Sequence, residues 1–134
     1  PAPEHKKQQP LTSHGADFAA VSEQHPDALL IHAHIGGGGD WEWTLRALRH
    51  ASPNVYVDVS GSNLDAGQIE AAVAELGAER VLFGTDGTMA GSVGKVLDAD
   101  LTEDERELIF WQNAARLLAK QGRKPLGIRR GDAA

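Results

Sequence analysis

Arg80-Val81-Leu82-Phe83-Gly84-Thr85-Asp86-Gly87 is the stretch on which the reading of the fold turns. Val81, Leu82 and Phe83 form a short apolar run with the length and composition of a buried strand. The run stops at Gly84, and a carboxylate follows at Asp86. In parallel α/β sheets the carboxyl ends of strands are where functional groups gather. An aspartate there, ahead of the glycine-rich residues 87–94, is placed for chemistry. Asp-Gly is also common turn chemistry, and on spacing alone the turn is the simpler reading.

Working outward, residues 28–35 (ALLIHAHI) form an earlier, nearly continuous apolar run ended by the glycines at 36–39. Such a run predicts a strand covered on both faces, as in parallel sheets. Residues 55–60 (VYVDVS) alternate β-branched residues and predict a second strand. Helices are expected between and around these strands. One spans about residues 16–24 with Phe18, Ala19, Ala20 and Val21 on its apolar face, closed by Pro26. Another runs from Trp41 to about His50, capped by Asp40 and facing inward through Trp43, Leu45, Ala47 and Leu48. A third is capped by Asn63 or Asp65, uses Ile69, Ala72, Val73 and Leu76, and stops at Gly77. After a short helical piece at 93–97 comes the strongest local signal. Thr102 and Glu105 form a capping box, acidic residues crowd the first turn, and Leu108, Ile109, Trp111, Ala115, Leu117 and Leu118 supply a stripe. Strand and helix in alternation predict parallel βαβ units with right-handed crossovers.

The chain has 134 residues, which suits one compact domain. Residues 1–11, with three prolines and no period, read as a polar tail; 12–121 as the domain; 122–134 as a basic, flexible tail. The absence of cysteine excludes disulfides, thiolate metal sites and a cysteine nucleophile. A formal net charge of −6 offers no basic surface for nucleic acid, so small-molecule partners are expected. No apolar run approaches the roughly 18 residues of a membrane span. With no signal-peptide pattern, a cytoplasmic location is expected. The chain begins at Pro1 rather than Met, which suggests an excised or processed piece of something longer.

Polar groups cluster at the three predicted strand ends: His32 and His34, Asp58 and Ser60, and Asp86. Residues two apart on a strand share a face, roughly 6.6 Å apart, so His32 and His34 are expected to point the same way. Such a pair can close on one metal ion, with an aspartate from a neighbouring strand end completing the shell. His32 alone reads as a core histidine bonded to backbone. His34, at a glycine-opened strand mouth, reads as an accessible acid–base group. Asp58 faces away from Val55, Val57 and Val59 and reads as a structural hydrogen-bond acceptor. His14, beside Gly15 at a helix start, reads as solvent-exposed. The glycines at 36–39 lack the Lys and Ser/Thr of a phosphate loop and the spacing of a dinucleotide fingerprint. Close backbone approach at a pocket mouth is the better use for them.

HAHIGGGGDWEW (32–43), NVYVDVSGS (54–62), GAERVLFGTD (77–86) and LTEDERELIFWQNAARLL (101–118), taken in this order, resemble the C-terminal part of the amidohydrolase-related metal-dependent hydrolases. That branch includes the aminocarboxymuconate-semialdehyde decarboxylase type, and the resemblance runs over about residues 14–119. It implies the C-terminal half of a (β/α)8 barrel, with these strands as the sixth, seventh and eighth. By that resemblance Asp86 is a metal ligand that also manages the proton of the attacking water. His34 polarises substrate or shuttles a proton, His14 corresponds to a strand-five metal ligand, and Asn113 is structural. A divalent metal, zinc first, is implied, lowering the pKa of bound water toward 7.

The family's first strand normally supplies a His-x-His pair, and nothing before residue 14 can be that strand. His32-x-His34 could imitate the pair, although its glycine-rich context fits strand six better. Such barrels usually need about 250 residues. The expected function is metal-dependent hydrolysis of a carbonyl-type substrate. The alternatives are non-oxidative decarboxylation at the same site, or a truncated, non-catalytic half-barrel whose open edges a second copy covers.

Overall fold

The computed structural model describes residues 12–36, 40–62 and 65–123. The predicted tail at 1–11, most of that at 122–134, the glycines at 37–39 and the candidate cap Asn63 lie outside them.

Three strands, β1 (Leu30–His32), β2 (Val55–Asp58) and β3 (Val81–Leu82), form a parallel sheet in the order β1-β2-β3. Leu30 pairs with Val55 and His32 with Val57; Val57 pairs with Val81 and Asp58 with Leu82. Helices α1 (Gly15–Gln24), α2 (Trp41–Leu48), α3 (Gln68–Leu76) and α4 (Met89–Asp98) alternate with the strands. The chain then runs through α5 (Glu103–Glu107), a π-helical segment (Leu108–Gln112) and α6 (Asn113–Lys120).

The sheet separates two apolar layers. Val55, Val57, Val59 and Val81 pack with Leu45 and Leu48 of α2, Ile69, Ala72 and Leu76 of α3, Val96 of α4 and Ile109. These side chains are almost wholly withdrawn from water, the burial of each valine, leucine and isoleucine contributing about 1.5–3 kcal/mol. Tyr56 and Leu82 face the other way, where Leu117 of α6 and Leu29 cover them. Asp58 shares this second face by alternation. Its predicted orientation away from the valines is therefore correct.

The capping box is present: the Glu105 N–H donates to Thr102 Oγ1, and the Thr102 N–H donates to Glu105 Oε2. The final helix is not uniform. Its π-helical segment turns the Ile109 carbonyl toward the sheet, where it accepts the Phe83 N–H at 3.0 Å. That bond holds the end of β3 immediately before Gly84.

Several expectations change. β1 stops at His32 instead of reaching Ile35, because the chain kinks into a turn over Ala33–Gly36. α4 is a full helix rather than a short piece at 93–97. Gly67 takes the cap position of α3 in place of Asp65. Val21 of α1 is exposed, and Ser22 faces inward, bonded to the Ala19 carbonyl and to the Ser52 N–H. No helix among the described residues is long and apolar enough to cross a membrane.

Candidate functional site

Parallel pairing brings all three strand ends to one edge of the sheet. At the end of β1 the backbone of His34 takes φ 61° and that of Ile35 φ 47°, both in the left-handed region. For a β-branched residue such as Ile35 this conformation is costly, on the order of 1–3 kcal/mol, and persists only where the surroundings impose it. They do so here: the Ile35 side chain is buried in the core, and the His34 N–H donates to Asp58 Oδ1 at 3.0 Å. The kink lifts His34 out of the strand register. His32 and His34 therefore do not point the same way, and the expected His-x-His pair is not formed.

His34 is half-buried and meets the end of β2. Its Nδ1 lies 2.9 Å from Ser60 Oγ. Asp58 Oδ1 accepts the Ser60 N–H at 3.0 Å and also receives the Ser60 hydroxyl. One carboxylate oxygen on β2 thus holds the backbones of two strand ends. Asp58 is the structural acceptor that its sequence position suggested.

Two glycines make the close approach possible. A Cβ at Gly61, whose φ is +87°, would stand 2.7 Å from His34 Nδ1. One at Gly84 would stand 3.0 Å from Ser60 Cβ and 3.3 Å from Asp58 Cγ. From α4, Lys95 Nζ donates to the carbonyls of Val59 at 2.7 Å and Gly61 at 3.0 Å, fixing the segment that carries Ser60. Burial lowers the Lys95 pKa, and the nearby Asp58 charge opposes that shift.

Asp86 follows β3 in a tight turn closed by the Thr88 N–H on the Thr85 carbonyl at 2.8 Å. Asp86 has φ 44° and Gly87 φ 80°, the positive-φ pair that Asp-Gly adopts in such turns. The side chain is exposed at the mouth. Of the two readings the sequence offered for Asp86, the turn is realised, and it sets the carboxylate at the edge where the strands end.

The other two candidate histidines go elsewhere. His32 is 5% exposed, its ring stacked on Phe18 of α1 at 4.2 Å with Nδ1 3.2 Å from the Ala33 carbonyl. Desolvation lowers its pKa below the ordinary 6.5, opposed by that carbonyl and by the Asp58 charge. His14 stands at the N-cap of α1 and is 2% exposed, its ring edge-on to Trp43 at 3.9 Å. The expected solvent exposure of His14 is thus wrong: the close contact of α1 with α2 buries it. Among the described residues no three His, Asp or Glu side chains come together as a metal-ion site. His14, His32 and Asp86 do not converge, and the described residues alone do not fit a metal.

Sequence reasoning noted Ser60 only as a polar strand end and missed Lys95. The available signals were the Asp-x-Ser spacing, which returns a hydroxyl to the carboxylate's side, and a lone lysine among the small and apolar residues of 89–97.

A model of the Amidohydro_2 family, described as amidohydrolase, matches residues 11–120. No curated protein matches the chain. Among solved structures, an amidohydrolase from Burkholderia multivorans with bound zinc superposes with a TM-score of 0.61 at 24% identity, covering 78% of this chain and 49% of its own. Amidohydrolase 2 from Bifidobacterium longum subsp. infantis gives 0.60 at 26% identity, covering 79% and 47%. A dihydroxybenzoic acid decarboxylase from Polaromonas, with bound manganese and the inhibitor 2-nitroresorcinol, gives 0.60 at 18% identity, covering 90% and 48%. The chain spans about half the length of these structures and corresponds to part of their barrel fold.

Proposed function

The chain belongs to the amidohydrolase family, and on that premise we propose that it supplies the proton-handling side of an amidohydrolase-type active site. The carrying observation is the seating of His34 at the strand mouth, tied by its backbone to Asp58 and by its ring to Ser60. A positioned imidazole of this kind contributes about 10²–10⁴-fold as general acid or base. The substrate is a small molecule with a carbonyl or carboxylate group, turned over by metal-assisted hydrolysis or by non-oxidative decarboxylation. Asp86 is the chain's candidate contribution to the ligands of a divalent metal, zinc or manganese by analogy with the relatives. The other ligands come from residues that the described fold does not bring together.

A chimera joining this chain to the half of the zinc-bound relative that it does not cover tests the reading. It is assayed for carbon dioxide release and for ester or amide cleavage. His34→Gln is expected to lower turnover at least 10²-fold with zinc still bound. Undiminished turnover in that variant would sink the proposal.

A second reading is a non-catalytic half-barrel that associates with a second copy, in keeping with the lack of a ligand cluster among the described residues. The open sheet face also points that way, since Ile31 on it is 46% exposed. A zinc-loaded chimera without turnover would support it.

A further inference from the structure

The hydrogen bonds at the strand mouth determine which ring nitrogen of His34 carries the proton. Asp58 Oδ1 faces three donors: the N–H groups of His34 and Ser60, each at 3.0 Å, and the Ser60 hydroxyl. An oxygen already receiving two backbone N–H groups acts as an acceptor toward the third contact, so the Ser60 proton points to Asp58. A hydroxyl has one proton and two lone pairs. With its proton committed, Ser60 Oγ can only accept from His34 Nδ1, 2.9 Å away.

We propose that Asp58 and Ser60 form a positioning relay that holds neutral His34 as its Nδ1–H tautomer, presenting the Nε2 lone pair at the strand mouth as a base. Nε2 has no hydrogen-bond partner among the described residues, and His34 is only half-buried. The device resembles the orienting carboxylate of a catalytic triad in its logic, with a serine hydroxyl inserted between carboxylate and imidazole. It also accounts for two glycines, since a side chain at Gly61 would strike Nδ1 and one at Gly84 would strike Ser60 and Asp58. Lys95 fixes the relay from below by holding the carbonyls on either side of Ser60.

The tautomer follows from geometry alone; its use as a base rests on the proposed role of His34. The test is a long-range proton–nitrogen NMR spectrum of the whole chain labelled with 15N-histidine, recorded where imidazole is neutral. The His34 signals are assigned by their loss in His34→Gln. The expected result is a preference for Nδ1–H of about tenfold, the ratio that one net hydrogen bond supports. In Ser60→Ala that preference should disappear. A wild-type His34 protonated mainly on Nε2, or without a preference, would overturn the proposal even if Ser60→Ala failed to fold. Retention of the Nδ1–H form in Ser60→Ala would overturn the relay. A correct tautomer together with full turnover of the His34→Gln chimera would refute the catalytic reading and leave the relay standing.

Discussion

His34 and His32 are separated by one residue and live in different environments, and the cause is a single backbone reversal. The left-handed turn at His34 and Ile35 buries the isoleucine and turns the imidazole toward Ser60, whereas His32 remains in the layer beneath α1. Burial favours the neutral form of His32, and its charge-compensating neighbours Asp58 and Asp17 oppose this less strongly. A lowered folded-state pKa means that the unfolded chain binds the proton first. Stability from this site is therefore complete above the unfolded value of 6.5 and is lost as pH falls below it toward the folded pKa. Urea unfolding should show a free energy that declines between about pH 7 and pH 5, with a shallower decline in His32→Phe. Equal pH dependence in the two proteins would contradict this. The histidines were legible as candidates from their strand-end position. Their divergence was not, because positive φ at a β-branched residue has no local sequence signature.

The three strands and most helices were visible in the sequence, though not all of their bounds, and the links between elements were less so. Apolar runs located the strands, and Thr102 with Glu105 located the last helix, since both signals depend on neighbours in the chain. The π-helical segment was hidden because its cause is tertiary: the Ile109 carbonyl serves the Phe83 N–H. Asn113 makes a second such link. It is fully buried, and its Nδ2 donates to the carbonyls of Ala78 and Val81, each at 2.8 Å. Its Oδ1 accepts from Arg116 at 3.0 Å. These bonds tie α6 to the entry of β3, in keeping with a structural role. Asn113→Leu retains the volume but removes the side-chain donor to the Val81 carbonyl and leaves the Ala78 carbonyl only the Val81 N–H, so it should cost about 1–3 kcal/mol in urea unfolding. A loss below about 0.5 kcal/mol would show that the carbonyls find other partners.

At the scale of the whole molecule, three parallel strands and their helices form a large apolar layer on one sheet face and a smaller one on the other, and they correspond to part of a barrel. The chain spans about half the length of the solved amidohydrolase structures it superposes on. The division is chemically uneven. The groups proposed to handle and position the proton, His34, Asp58 and Ser60, are assembled within the chain, joined by direct hydrogen bonds. The metal ligands expected from the sequence are not, since His14 and His32 are packed under helices and Asp86 stands at the exposed mouth. Spacing suggested a His-x-His metal pair that the fold does not form, and the divalent metal was an implication of the family resemblance; convergence of ligands is a property of the closed fold and could not be read from spacing. The direct measurement is a zinc titration of the chain by calorimetry, alongside Asp86→Ala. No 1:1 site with a Kd tighter than about 1 μM is expected, an affinity equivalent to about 8 kcal/mol. A stoichiometric, nanomolar zinc site abolished by Asp86→Ala would show that the chain assembles a metal centre by itself, and would contradict that expectation.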